Sequence, residues 1–478
     1  MTARGISHTK ELLSRGEISA VEHVQAVLTA IRERDTLGAF VTAAGDEALR
    51  AAEQADARIR ERGREAWWDM PLLGVTVSVK DLLQTRDLPT TRGSLLPNDR
   101  PRADAPAVAR LRAAGAVVVG KTTTSEYGWS ASTVSRVALP TRNPYDPRLT
   151  AGGSSGGAAA AVAAGLCEGS LGTDGSGSIR IPAAFCGVVG YKPSYGRVPY
   201  FANGAERLAH QGPIARSVAD VTLLGQIVSG PHPGDPDSGL GSLDTPRDNR
   251  RLRIGWIEYE GTTDGIRRAT AQARSVLAAQ GHRVEDIEVR CNDLYPALVD
   301  LLAASEAAGT SAEDEQWCDP GRLEVVRYGR TLSGAAVMRA EGVRQELRRT
   351  LRSVMDRYDL LAMATVPVEP FAAGAIGPAW AADPRDLQWL SWAPASYPFN
   401  MTGQPAVSLP AGLTASGLPA GVQLVGPVGA DDLVLTVAGR LEADLAPLPQ
   451  PPAAAPGSAA VSAAVPAAVP AALAERTL

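Results

Sequence analysis

Gly152-Gly153-Ser154-Ser155-Gly156-Gly157 runs directly into Ala158-Ala159-Ala160-Ala161-Val162-Ala163-Ala164, and Gly172-Thr173-Asp174-Gly175-Ser176-Gly177-Ser178 runs into Ile179-Arg180-Ile181-Pro182. Glycine-rich runs are costly to order, because glycine loses more conformational freedom on folding than any other residue. They persist where the backbone must turn sharply or come close to a ligand. A flexible linker would not feed straight into an Ala-rich helix stopped by Gly165, nor into Ile-Arg-Ile-Pro. Both clusters therefore read as ordered loops that begin helices.

The segments around these loops alternate between strand and helix. Leu72-Leu73-Gly74-Val75-Thr76-Val77-Ser78-Val79 is a β-rich run that delivers Lys80 and Asp81 at its end. Ala107 to Ala114 reads as a short helix and Ala116-Val117-Val118-Val119 as a buried strand. Arg253 to Ile257, Leu360 to Val366 and Ala406 to Leu409 are further strand candidates. The pattern predicts an α/β layered fold. Before it, Leu12, Leu13, Val21, Val24, Val27, Leu28 and Ile31 recur at helical spacing, and an Ala-rich segment follows from Asp46 to Arg60. Residues 1–446 are expected to form one α/β domain with a helical preface over about 1–64 that ends at Gly63. From Pro447 the chain is nearly all Ala, Pro and Val, and residues 447–478 are expected to be a disordered tail.

Of the 478 residues, 45% are hydrophobic and 21% charged, as in ordinary globular proteins, and the formal net charge is −5. The charge is spread along the chain, so there is no electrostatic footprint for nucleic acid or an anionic membrane. No apolar run is long enough to span a bilayer, and Met1 to Ser19 lacks the apolar core of a secretory signal. Cys167, Cys186, Cys291 and Cys318 are widely separated, which suits a reducing, cytoplasmic compartment. The histidines are scattered too, so neither a metal nor a cofactor is expected.

Two motif matches compete for the chemistry. Gly115-Ala116-Val117-Val118-Val119-Gly120-Lys121-Thr122 fits the Walker A expression letter for letter. A P-loop needs a pliable loop between its glycines, and here that interval is a β-branched strand, so the match is read as fortuitous. Gly152-Gly153-Ser154-Ser155-Gly156 fits the nucleophile elbow of α/β-hydrolases, which would need His210, His232 or His282 as base. None of the three sits in a convincing signature.

A third pattern is longer. Lys80 at a strand end, the double-serine glycine cluster and the Gly172–Ala183 segment fall in one order. Phe185-Cys186-Gly187-Val188-Val189-Gly190-Tyr191-Lys192-Pro193, Gly212-Pro213-Ile214-Ala215-Arg216-Ser217 and Asn400-Met401-Thr402-Gly403-Gln404-Pro405 follow. This set resembles the amidase signature family, from roughly residue 8 to residue 445, with a weaker stretch between about 258 and 355. One departure is clear: the family commonly has Thr-Gly where Gly175 and Ser176 stand. Ser176 is thus a rival nucleophile, and Ser178 is preferred because it directly precedes Ile179-Arg180.

The resemblance implies an α/β fold with a mixed twisted β-sheet core sandwiched between α-helices, and a carboxamide hydrolase with a Lys80–Ser154–Ser178 triad and an acyl-enzyme intermediate. Ser154, joined to Gly153 by a cis peptide, would relay the proton between Lys80 and Ser178, with Ser155 in support. The sequence by itself does not separate those two serines. Lys80 must be neutral to act as a base, so a desolvated pocket is expected around it. Gly175, Ser176 and Gly177, with Ser178, would supply an oxyanion hole, and Asp174 and Arg180 would pair to hold that loop. The substrate is expected to be a small amide, with an apolar part lodged near Tyr127, Trp129, Trp389 or Trp392. Residues from about 258 to 355 and from 367 to 398 would shape its pocket. Two alternatives stay open on the same triad. One is an acyltransferase or cyclase; the other is the glutaminase component of an amidotransferase complex, although Ile181 stands where those proteins usually carry Gln. A homodimer is also left open.

Overall fold

Thr76–Lys80 and Val117–Thr122 are buried at every position. Runs of β-branched residues do this when both faces of a sheet are covered, because no residue then needs to face water. The computed structural model describes residues 5–96, 100–201, 207–243 and 250–452. In chain order its strands are β1 (Phe40–Ala43), β2 (Thr76–Lys80), β3 (Val117–Thr122), β4 (Gly169–Asp174), β5 (Val189–Lys192), β6 (His210–Ala215), β7 (Arg253–Ile257), β8 (Arg283–Ile287), β9 (Leu360–Ala364), β10 (Ala406–Leu413) and β11 (Pro419–Val425). They form one 11-stranded sheet in the order β1-β3-β2-β4-β6-β5-β10-β11-β9-β7-β8.

The sheet is mixed, as expected. β2 runs parallel to β3 and β4, and β7 parallel to β8 and β9. β4–β6, β6–β5, β5–β10, β10–β11 and β11–β9 are antiparallel. Because β2 and β4 are parallel neighbours, Lys80 and Asp174 emerge at the same edge. The start of antiparallel β6 lies there too, with Thr173 opposite Gln211 and Asp174 opposite His210. Crevices beyond strand carboxyl ends are where open α/β sheets usually bind ligands.

Two short buried helices pack against the sheet here. Gly156–Ala163 is buried at all eight positions, and its small side chains let it lie close against the sheet. The Arg180–Cys186 helix is also wholly buried and ends at Gly187 in the left-handed conformation. The preface contains the expected helices: Ile6–Arg15, Ala20–Arg34 with a Ser19–Glu22 capping box, and Asp46–Arg62 capped by Gly63. It also contains β1, which the helical reading missed. This four-residue strand pairs antiparallel with β3 and is too short to show a period.

The tail expected over 447–478 begins with ordered contacts. Tyr145 Oη donates to the Pro449 carbonyl at 3.1 Å, Leu448 packs by Gly187, and Pro451 is buried. Residues 453–478 lie outside the described residues. Among the described residues, no helix is long and apolar enough to cross a membrane.

Candidate active site

Lys80 and the two glycine-rich loops meet at the sheet edge. Lys80 is fully buried, and its Nζ lies 2.8 Å from Ser154 Oγ and 2.7 Å from Thr173 Oγ1. Thr173, on β4, is a contact the sequence reading did not single out. Its signal was present, two residues before the Gly-Ser loop. The Gly153–Ser154 peptide is cis. Gly153 is required by close approach: a Cβ there would lie 2.4 Å from the Ser132 carbonyl carbon.

The structure separates the paired serines. Ser154 Oγ faces Lys80, whereas Ser155 Oγ donates to the Thr173 carbonyl at 3.1 Å. The Ser155 amide donates to the Ser178 carbonyl at 3.1 Å, tying the two loops together. Ser154, Thr173, Gly175, Ser176 and Ser178 all line one cavity of about 580 Å³.

Asp174 and Arg180 form the expected pair, through two contacts of 2.9 Å between buried groups. Asp174 also accepts from the amides of Gly177 (2.7 Å) and Ile179 (3.2 Å), which folds the loop back over its own carboxylate. Burial alone would raise the Asp174 pKa, but the Arg180 charge and hydrogen bonds hold it well below the usual carboxylate range. Arg180 is further bound by Gln423 Oε1 at 2.6 Å, Asn400 Oδ1 at 2.7 Å and the Ser396 carbonyl at 3.0 Å. Those three partners were invisible as such in sequence, being more than two hundred residues away.

Gly177 is placed differently from its neighbours Gly175 and Ser176. Its N–H is engaged by Asp174, and it does not line the cavity. Its own left-handed φ of 119° is what turns the loop. The amides of Gly175, Ser176 and Ser178 make no hydrogen bond among the described residues, and these residues line the cavity.

Tyr127, Trp129 and Trp389 line the cavity, joined by Tyr200 and Phe201. Trp392 does not: it is buried and stacks on Phe185 with a centroid separation of 6.2 Å. The weakly matching stretch between about 258 and 355 contributes Leu302, Glu306, Arg322 and Val325.

The rival motifs take structural places. Lys121 of the Walker look-alike ends within β3, donating to the Leu83 carbonyl at 2.8 Å and pairing with Asp81 at 3.3 Å. None of the three histidines lines the cavity. Buried His210 has Nδ1 2.8 Å from the Leu208 carbonyl, His232 bridges to Asp235, and His282 accepts from the Leu252 amide.

A sheet edge with a buried lysine against a cis-linked serine, below a Gly-Ser loop locked by Asp174 and Arg180, sits within a chain that matches the amidase family model over residues 22–435. The chain belongs to the amidase signature family. It is 37% identical over 468 residues to the glutamyl-tRNA(Gln) amidotransferase A-chain of Thermus thermophilus, covering 90% of this chain and 95% of that protein. Among solved structures it resembles a bacterial aryl acylamidase of the amidase signature family, with a TM-score of 0.82 and 26% identity, covering 92% of this chain and 96% of that one. It also resembles 6-aminohexanoate cyclic dimer hydrolase, with a TM-score of 0.81 and 28% identity, covering 95% and 99% of the two chains.

Proposed function

We propose that this protein hydrolyses a carboxamide bond, with Ser178 as nucleophile, Ser154 as proton relay and Lys80 as base. The observation that carries this reading is the position of fully buried Lys80 Nζ, 2.8 Å from Ser154 Oγ in the cavity that Ser178 shares. Thr173 Oγ1 takes one N–H of the amine, and a neutral Lys80 then turns its lone pair to the Ser154 proton.

Ser178 Oγ attacks the amide carbon as its proton passes to Ser154 and the Ser154 proton to Lys80. The amides of Gly175, Ser176 and Ser178 stabilise the oxyanion, each donor contributing on the order of 3 kcal/mol. Collapse breaks the C–N bond, and Lys80 returns the proton through Ser154 to the leaving nitrogen. Water then attacks the Ser178 ester over the same relay and releases the acid. Ser155, Asp174 and Arg180 hold the two loops and do not exchange protons.

A second reading, glutaminase within an amidotransferase complex, is favoured by the names of the sequence relatives. Against it, Ile181 stands where such proteins usually carry Gln. It is buried outside the cavity lining, so it offers no polar group to the substrate. The aromatic wall suits an apolar acyl part. Hydrolysis by the chain alone is therefore the first reading, acting on small amides in the cytoplasm.

The test incubates the purified chain and Ser178→Ala with benzamide-type, aliphatic and glutamine substrates, with and without an added amine. We expect the wild type alone to hydrolyse the simple amides, Ser178→Ala to be inactive, and a fluorophosphonate adduct to map to Ser178. An adduct on Ser176 would move the nucleophile. Turnover of glutamine only, and only with a partner added, would establish the second reading, and amide products formed from the amine would indicate acyl transfer.

A further inference from the structure

Among the described residues, the charged side chains lining the cavity are Arg92, Glu306 and Arg322. Two of them neutralise each other: Arg322 Nε donates to Glu306 at 2.7 Å, while Nη2 donates to Thr310 Oγ1 at 2.8 Å and the guanidinium lies 4.5 Å from the Tyr127 ring centroid. Glu126 adds a second carboxylate 3.8 Å from Arg322. Arg92 differs. It is half-buried, and its guanidinium makes no ion pair or hydrogen bond among the described residues.

Its backbone, by contrast, is tightly held. The Arg92 amide donates to the Asp81 carbonyl at 3.0 Å, and its carbonyl accepts from the Tyr127 amide at 2.8 Å. The residue has a left-handed φ of 56°, and a Cβ on neighbouring Gly93 would meet the Thr124 carbonyl oxygen at 2.9 Å. A non-glycine residue in this region is strained, and such residues concentrate at ligand sites. The main chain thus fixes the Arg92 backbone at the cavity wall, where, among the described residues, no partner takes its charge. The segment it holds continues into Gly128, where an added Cβ would lie 3.2 Å from Ser154 Oγ.

We infer that Arg92 binds an anionic group of the substrate, so that the preferred substrate is an amide that carries a carboxylate beside its apolar body. The inference rests on the amide-hydrolysis reading above and narrows its substrate class. A guanidinium binds a carboxylate through two parallel N–H···O bonds, and a partly enclosed wall strengthens that attraction over its value in water.

Two matched pairs test it: 4-carbamoylbenzoate against benzamide, with the charge on the acyl side, and N-benzoylglycine against N-propylbenzamide, with the charge on the leaving amine. In at least one pair the carboxylate member should have the higher kcat/KM. That preference should fall about 10- to 100-fold in Arg92→Met and Arg92→Gln, through KM more than kcat, and be partly kept in Arg92→Lys. No preference for the carboxylate in either pair, or a preference that survives in Arg92→Met, would overturn the inference.

Calorimetric binding of both carboxylates to Ser178→Ala, with and without Arg92→Met, keeps the two readings apart. Arg92-dependent binding with no turnover by wild type would overturn the hydrolase reading, and with it the substrate preference, and leave only an anion site at Arg92. Binding indifferent to Arg92 sinks this one, whatever the turnover. Thermal melts check that each variant is folded.

Discussion

Lys80 is the base in the proposed mechanism, and its surroundings are unusual for a lysine. Its ammonium would be cut off from water, and its neighbours within 3 Å include the hydroxyls of Ser154 and Thr173. Lys80→Met fills the same space with an apolar chain, so the fold should survive while the base is lost. We expect kcat to fall by about 10²- to 10⁴-fold with little change in melting temperature. Retained activity in Lys80→Met, with loss in His210→Ala, would instead assign the base to a histidine. His210 is poorly placed for that role: burial pushes its pKa well below the usual imidazole value, its Nδ1 contacts the Leu208 carbonyl, and it does not line the cavity. The Asp174–Arg180 pair was legible as opposite charges six positions apart in one loop. Its outer partners Ser396, Asn400 and Gln423 were not, because only the folded sheet brings them to Arg180.

At the scale of elements, the parallel pairing of β2 with β4 brings Lys80 to Thr173, and β3 beside them explains the Walker coincidence. Gly115 of that motif precedes a buried strand, Gly120 lies within it, and the strand's Lys121 braces the turn after β2. A second element contact carries a pH dependence. Glu442, on the Asp431–Asp444 helix, accepts the Val218 amide at the N-terminus of the Val218–Val228 helix, with both oxygens at 3.0 Å. Burial raises its pKa to about 7, opposed by the Val218 hydrogen bond and assisted by nearby Asp220.

A carboxyl whose pKa is raised from 4.5 on folding leaves stability intact below pH 4.5 and removes it as pH climbs through 7. Glu442→Gln keeps an acceptor for Val218 but never ionises. Urea melts should place the variant level with wild type near pH 4.5 and about 1–2 kcal/mol above it at pH 8, the figure being reduced for the residue's partial exposure. Equal stabilities at both pH values would show that Glu442 does not titrate against folding.

For the molecule as a whole, the question is where the folded body stops. Composition alone put the boundary at residue 446. Leu448 by Gly187, Pro449 bonded to Tyr145, and buried Pro451 move it to the far side of those contacts. A chain ending at Pro452 should match full length in melting temperature and turnover, because the Ala- and Pro-rich sequence beyond has few large side chains to bury. A chain ending at Ala446 should melt a few degrees lower. A marked loss in the first truncation would mean that residues 453–478 contribute to the body.

The sequence by itself determined the family, the α/β class, the order of Lys80 and the two Gly-Ser loops, and the Asp174–Arg180 pairing. These are properties of local runs: β-branched stretches, glycines where the backbone must bend, and charged residues close together in one loop. Tertiary structure alone decided which serine faces Lys80, that Thr173 also contacts it, that the Gly177 N–H serves Asp174, and that Arg92 lines the cavity with no partner for its charge among the described residues. Each of those depends on which strands lie side by side and which backbone groups are already hydrogen-bonded. Such pairings join residues distant in the chain, and no local pattern encodes them.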